Sequence, residues 1–376
     1  MARKPNQELK VDPTRAVPAP RLPYQPRLPR HPRTGIGLIG CGNISSSHLR
    51  AYKERGLNLV ALCDVDVSRA RARQKEFFPN AVIYEDFRQM LRSDDVEVVD
   101  IATHPKERSA LIGAALRTGR HVLSQKPFVV DLDVGEKLAD LADARGVRLA
   151  VNQNGRWAPY FSYMREAVGA GLIGDPYAVH LACHWDHETA ISGGFNRLYH
   201  LVLYDFAIHW FDMVHCLMGA RKPTMARATL THSPGQKAWP PLLAEVLLGF
   251  EGGQASLVFD ACTRQRSVET ATVIGTKGML RSEGEVCNAR SVEVSTAAGV
   301  GVARLTGTWF PDGFAGTMGE LLRAIDEGRE PRNSARDNLE SLALCFAAIA
   351  SADSGEARKI GSVRKLPLAR CTPRPQ

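Results

Sequence analysis

The sequence predicts an α/β protein of two unlike halves: an N-terminal doubly wound parallel sheet, then a C-terminal α/β domain built on a large, mostly antiparallel sheet. Three observations carry this. Short apolar runs alternate with amphipathic helical stretches from about residue 35 to residue 151, the pattern of successive βαβ units. From residue 176 longer strands follow one another, as antiparallel pairing requires. At 376 residues the chain is long enough for two cores.

Residues 1–33 stand apart by composition. They hold eight Lys or Arg against two acids, together with eight prolines, so this arm contributes +6 of the net charge of +8. The basicity belongs to a tail rather than to a folded face, and no nucleic-acid partner is expected. Proline at this density favours extended, polyproline-like backbone, read either as a disordered leader or as an arm laid on a neighbouring subunit. The arm lacks the apolar core of a signal peptide and a twin-arginine pair. No apolar run approaches the ~20 residues that span a bilayer, so no membrane partner is expected. The eight cysteines, at 41, 63, 183, 216, 262, 287, 345 and 371, are scattered without a CxxC pair; they read as reduced thiols of a cytoplasmic protein.

Within 34–151 the predicted strands are 35–39, 58–63, 81–84, 96–101, 121–124 and 148–151. Helices are expected at 44–55, 68–77, 86–92, 106–118 and 133–145. In 152–376 the expected strands are 178–187, 224–232, 242–250, 254–262 and 268–274, covered by a helix at 203–217. A late helix follows from Leu339, Leu342, Ala343, Phe346 and Ala350, at i, i+3, i+4 and i+7 spacing, with Gly355 as its stop.

GIGLIG (Gly35, Gly37, Gly40) matches a GxGxxG string but falls mostly inside the first strand. The informative run is Gly40-Cys41-Gly42-Asn43-Ile44-Ser45, where strand gives way to helix. Gly40 makes the tight turn and Gly42 lets a pyrophosphate approach the backbone at the helix N-terminus. Ser45 stands in place of the third glycine. Asp64 ends the second strand, 22 residues after Gly42, where a carboxylate accepts from adenosine ribose hydroxyls and repels a 2′-phosphate. The first domain therefore reads as a Rossmann domain for NAD, with NADP disfavoured although Arg69 and Arg71 lie nearby.

Two further segments carry the chemistry: Ser124-Gln125-Lys126-Pro127 after a strand, and Asp205-Phe206-Ala207-Ile208-His209 on a helix. Together with GLIGCGNISSSH, the Ala102-Thr103-His104-Pro105 turn, GRHVLSQKPF and DFAIHWFD, they resemble the glucose-fructose oxidoreductase and inositol dehydrogenase family (Gfo/Idh/MocA) over residues 35–360. The resemblance implies an oxidoreductase that moves a hydride between nicotinamide and a secondary alcohol of a sugar, cyclitol or related polyol. It implies Lys126, Asp205 and His209 as catalytic groups. Thr103, His104, Gln125 and Lys126 join Gly40, Gly42, Asn43, Ile44 and Asp64 at the cofactor. Alcohol oxidation needs a proton acceptor, and imidazole titrates near neutral pH; Lys126 would stabilise developing alkoxide charge, and either it or His209 could be the base. At i, i+4, Asp205 and His209 share a helix face, so Asp205 could orient His209 or hold a substrate hydroxyl. Gln125 stands where the family usually has Glu, Arg108 where many members carry His, and Ala207 where Gly is common.

Asn154, Arg156 and Trp157 resemble the family's substrate-lining stretch, and amide, guanidinium and indole groups suit a polyhydroxylated ligand; Arg156 could equally form an interdomain ion pair. Asn196 and Arg197, in the loop at 193–200, are further substrate candidates and the expected source of substrate choice. His180, His184 and His187 alternate across a strand and do not converge, so no metal site is expected. The resemblance also implies a homo-oligomer, dimer or tetramer, through the second sheet. Two other functions stay open at this stage: redox-neutral glycoside cleavage or epimerisation with bound NAD, and a non-catalytic NAD-binding regulator.

Overall fold

The computed structural model describes residues 15–30, 33–191 and 195–367. The first half runs β1 (Ile36–Ile39), α1 (Ser45–Glu54), β2 (Leu59–Cys63), α2 (Val67–Phe77), β3 (Val82–Tyr84), α3 (Phe87–Met90), β4 (Val98–Ile101), α4 (Pro105–Arg117), β5 (His121–Gln125), α5 (Leu132–Ala144) and β6 (Leu149–Asn152). All six strands are parallel, in the order β3-β2-β1-β4-β5-β6. The central strands β1 and β4 are buried at every position, as helices on both faces demand. The strand order reverses between β1 and β4, and in open α/β sheets ligands bind beyond the strand ends at that point.

The second half adds α6 (Pro159–Gly169), β7 (Pro176–His184), α7 (Ile208–Leu217), β8 (Pro223–Thr231), β9 (Leu243–Phe250), β10 (Gly253–Asp260), β11 (Val268–Gly275), β12 (Gly278–Gly284), β13 (Ser291–Thr296), β14 (Gly299–Arg304), α8 (Trp309–Asp326), α9 (Ala335–Ser354) and the short β15 (Arg358–Lys359). They form a nine-stranded sheet in the order β14-β13-β12-β11-β7-β10-β9-β8-β15. Only β7 and β10 pair in parallel. Burial alternates along β9 and β11, so one face looks into the helix layer and the other outward.

Three sequence expectations change. The strands β12 to β14 and the helices α6 and α8 were not anticipated. Helix α8 returns to the first half: Phe314, Ala315, Met318, Leu321 and Leu322 share a core with Ile36, Leu49 and Leu62. The expected helix 203–217 is broken. Residues Val202–Phe206 form a π turn, closed by Ala207 N–H donating to the Val202 carbonyl at 2.7 Å, before α7 begins. Such turns within helices mark functional sites.

The arm is also corrected over its described part. Residues 15–30 lie against this chain's own second half. Val17 N–H donates to the Val300 carbonyl, and Val300 N–H to the Arg15 carbonyl, both at 2.9 Å, so the arm covers the edge strand β14. Further along, Tyr163 Oη donates to the Pro20 carbonyl and Ser162 Oγ to the Tyr24 carbonyl, each at 2.7 Å. Residues 1–14, 31 and 32, like Cys371 and residues 193 and 194, lie outside the described residues.

Candidate active site

A cleft of about 1310 Å³ opens beyond the carboxyl ends of β1, β4 and β5 and reaches the π turn. Its floor is the turn after β1. Gly40 has φ of 98°, and a Cβ there would meet the Ala102 carbonyl carbon at 3.0 Å, so only glycine fits. At Gly42 a Cβ would meet nothing within 4 Å; the backbone is bare toward the cleft. Asn43 and Ile44 line the same wall, leading into α1. A helix N-terminus with exposed backbone beside it suits a pyrophosphate, so these residues fit a dinucleotide. Arg73 on α2 reinforces the turn, donating from Nε to Ser45 Oγ (3.1 Å) and from Nη2 to the Gly42 carbonyl (3.2 Å).

Asp64 stands just past β2, where the sequence reading puts it, and is bonded to the backbone there. Its Oδ2 accepts from Cys41 N–H at 2.7 Å and its Oδ1 from Asp66 N–H at 2.9 Å, and the residue is buried. The carboxylate thus pins the glycine turn to the end of β2, and it is Arg69 and Arg73 that face the cleft at this end.

Thr103 and His104, after β4, line the next stretch of wall, followed by Gln125 and Lys126 after β5. Behind them Arg108 on α4 is almost fully buried. Its Nη1 donates to the carbonyls of Gln125 (2.5 Å) and Pro127, and its Nη2 to that of Thr103 (2.5 Å). Burial lowers its pKa to about 10, which leaves it charged at neutral pH. One guanidinium therefore ties two walls of the cleft together around the cis Lys126-Pro127 peptide.

Lys126 reaches the π turn. Its Nζ donates to the Asp205 carbonyl at 2.7 Å and pairs with Asp205 Oδ1 at 3.2 Å. Both side chains stay partly exposed, at 15% and 24%, so the pair faces the cleft. The π turn offers Lys126 a backbone carbonyl that a regular helix would hold within its own ladder. The idea that Asp205 orients His209 is overturned: Asp205 is engaged by Lys126, and His209 Nδ1 is buried without a partner among the described residues. The His209 ring is edge-on to Trp309 at 5.3 Å. Burial, with Lys126 nearby, holds its pKa well below the ordinary histidine value of 6.5, so the imidazole is neutral at neutral pH.

His187, after β7, rests against Phe206 at 5.2 Å and feels the charges of both Asp205 and Lys126. Burial lowers its pKa too. It joins the site by geometry, whereas His184 pairs with Asp260 at 2.7 Å and His180 with Ser256 at 2.7 Å on the far side of the strand's register. Among the described residues no group of three or more His, Cys, Asp or Glu side chains is arranged to hold a metal ion.

The expected substrate stretch is corrected. Arg156 is buried and fork-bonded to Asp212, Nε to Oδ2 and Nη2 to Oδ1, both at 2.6 Å, with Asp337 at 2.6 Å as a second carboxylate. Asn154 Oδ1 accepts from Trp309 Nε1 at 2.7 Å. Trp157 is buried, with the Arg165 guanidinium over its ring at 5.2 Å. All three serve the protein interior, where their partners come from α6, α7, α8 and α9. Of the loop candidates, Arg197 lines the cleft, while Asn196 Oδ1 accepts from Trp239 N–H at 3.0 Å. Sequence reasoning missed Arg73 and Tyr204 on the wall and undervalued Arg108. A basic residue on a helix carries no local mark of the loop it will meet.

A glycine turn open to a pyrophosphate, on a parallel sheet, with a Lys-Asp pair at the other end of the same cleft and a buried neutral His behind that lysine, defines a dinucleotide-dependent oxidoreductase. Comparison with known proteins agrees. Residues 34–153 match the model of the oxidoreductase family with an NAD-binding Rossmann fold, and residues 161–281 that of the GFO/IDH/MocA C-terminal domain. The chain belongs to the Gfo/Idh/MocA oxidoreductases, a family with an NAD-binding Rossmann fold. It is 28% identical to D-apiose dehydrogenase of Paraburkholderia graminis over 341 residues, covering 87% of this chain and 89% of that protein. It is 25% identical to inositol 2-dehydrogenase of Rhizobium meliloti over 331 residues, 84% of this chain and 96% of the relative. Among solved structures, an oxidoreductase from Agrobacterium radiobacter in complex with NAD+, L-tartaric acid and magnesium shares the fold, with a TM-score of 0.75 at 21% identity over 88% of this chain and 99% of that one.

Proposed function

We propose that this protein oxidises a secondary alcohol of a sugar, cyclitol or related polyol, with Lys126 and His209 as its catalytic groups. The observation that carries this is the Lys126–Asp205 pair exposed in the cleft that begins at Gly42. Bound NAD+ supplies the hydride acceptor. Lys126 donates a hydrogen bond to the reacting oxygen and stabilises the negative charge that develops there. Asp205 holds Nζ in place. His209, neutral through burial, takes the hydroxyl proton as the C–H hydride leaves. His187 and Arg197 supply hydrogen-bonding groups for the remaining hydroxyls. The dehydrogenase names of the relatives that span most of this chain support a polyol as substrate.

Residues 34–151 are assigned to cofactor binding and 152–376 to substrate binding and assembly, with α8 reaching back to the first sheet. The outward face of the second sheet supports a homo-oligomer. Leu247, 59% exposed, lies in register with Ser256, His180 and Thr272 across four strands, an uncharged outward row that a partner could cover. Light scattering that returns a concentration-independent monomer mass would remove this assignment. A cytoplasmic location remains part of the proposal, supported by the scattered, unpaired cysteines. No helix among the described residues is long and apolar enough to cross a membrane.

The activity is tested by incubating the protein with NAD and a panel of sugars, sugar acids and inositols while following the near-ultraviolet absorbance of reduced nicotinamide. Accumulation with one class of polyol identifies the substrate class. Product formed from a glycoside without net reduction of NAD would replace the dehydrogenase reading with a redox-neutral one.

A further inference from the structure

The Gln125 amide is not free to turn. Lys126 N–H lies 3.1 Å from one of its terminal atoms, and a backbone N–H only donates, so that atom is Oε1. Asn152 Nδ2 donates to the same oxygen at 2.9 Å, and both lone pairs are taken. Asn152 is fixed in turn: Thr317 Oγ1 donates to its Oδ1 at 2.7 Å, and His48 Nε2 accepts from its Nδ2 at 3.2 Å. The His48 nitrogen accepts there because Nδ1, 2.7 Å from Asp100 Oδ2, donates to that carboxylate. The same Asp100 oxygen accepts from Tyr52 Oη at 2.5 Å. His48, Asp100, Asn152 and Thr317 are all 0% exposed, so bulk solvent does not reach these bonds. Only Gln125 Nε2 remains. It has no protein partner among the described residues, and Gln125 lines the cleft beside Lys126.

We propose that this buried chain fixes Gln125 as an obligate hydrogen-bond donor to the carboxamide oxygen of the nicotinamide, with Asn152 and His48 as positioning residues. The inference rests on the NAD-dependent reading of the same cleft. Glutamate, the residue usual here in the family, would accept instead and select the carboxamide NH2. Thr317 Oγ1, which also lies 3.0 Å from the Phe314 carbonyl, joins α8 to this network.

The test compares the dissociation constants of NAD and its 3-acetylpyridine analogue for the full chain, read by quenching of tryptophan fluorescence. The analogue keeps the carbonyl oxygen and lacks the NH2. Wild type binds the two within about threefold of each other, since its donor finds an acceptor in both. Gln125→Glu turns the wall into an acceptor and favours NAD by roughly tenfold or more, the worth of a hydrogen bond to a charged group. Asn152→Asp sets an acceptor against the Oε1 that Lys126 N–H then holds alone, so the amide is no longer fixed and the ratio moves in the same direction by less. A purely structural role for Asn152 would weaken both dinucleotides alike and leave the ratio unchanged, overturning the proposal, as would a wild type that already discriminates tenfold against the analogue. If NAD and the analogue both fail to bind wild type, the dinucleotide reading itself falls.

Discussion

At the scale of single residues, the site is an exercise in keeping one imidazole neutral and one ammonium placed. Burial lowers the His209 pKa well below 6.5, so the proton acceptor is ready across the neutral range. The acidic limb of the pH profile of kcat/KM is therefore expected below the ordinary histidine range, and in His209→Gln that limb should vanish along with a ~10²–10⁴-fold loss of rate. A limb centred at or above the ordinary value would contradict a desolvated base. The same shift has a sign in stability: a depressed folded-state pKa gives stability that is complete above 6.5 and lost as pH falls below it. Gly40, Gly42, Lys126 and Asp205 were legible from sequence because each sits in a short motif at a strand end or a turn. Asp64 was legible in position, while its bonds to the Cys41 and Asp66 backbone leave no trace in residue type. Arg156 was ambiguous for a plainer reason: whether a guanidinium meets substrate or carboxylate depends on Asp212 and Asp337, far along the chain.

At the scale of elements, the decisive feature is the π turn before α7. Helical periodicity over 203–217 was read correctly as helix, but a single extra residue in one turn is invisible to a hydrophobic pattern. That turn gives Lys126 a carbonyl and separates Asp205 from His209. The strands β12 to β14 escaped notice because runs such as Gly278–Gly284 are short, glycine-flanked and charged on the outward face, close to the composition of loops. Two substitutions examine how elements are joined. Arg156→Met leaves Asp212 buried and uncompensated between the 3₁₀ turn Asn154–Trp157, α7 and α9, and is expected to cost about 3–5 kcal/mol in urea unfolding. A loss under 1 kcal/mol would show that water or another cation replaces the guanidinium. Arg108→Met strips the shared donor from the Thr103, Gln125 and Pro127 carbonyls. It should lower both NAD affinity and turnover, whereas loss of stability alone, with kinetics intact, would deny that the clamp shapes the cleft.

For the whole molecule, two sheets share one cleft, and the chain crosses between them more than once: the arm runs along the second half, and α8 inserts into the first core. This return could not be read from a linear division at residue 151, because α8 is apolar enough for either core. A buried carboxyl gives a global readout of the second core. Glu269 accepts from Tyr160 Oη (2.8 Å), Trp210 Nε1 (3.0 Å) and Cys287 N–H (2.8 Å). Burial outweighs these bonds and raises its pKa from 4.5 to about 7. A raised folded-state pKa gives stability that is complete below pH 4.5 and lost as pH rises through about 7. Relative to wild type, Glu269→Gln should therefore gain on the order of 3 kcal/mol across that window, measured by urea unfolding at both ends; a pH-independent difference would place a cation beside Glu269. The central claim is that one cleft joins NAD binding to alcohol oxidation through Lys126. It is tested most directly by Lys126→Met with the polyol that gives the strongest response, measuring NAD affinity and reduced-nicotinamide formation side by side. Affinity within a fewfold of wild type with turnover reduced ~10²-fold or more is the predicted result; turnover that survives the substitution would contradict it.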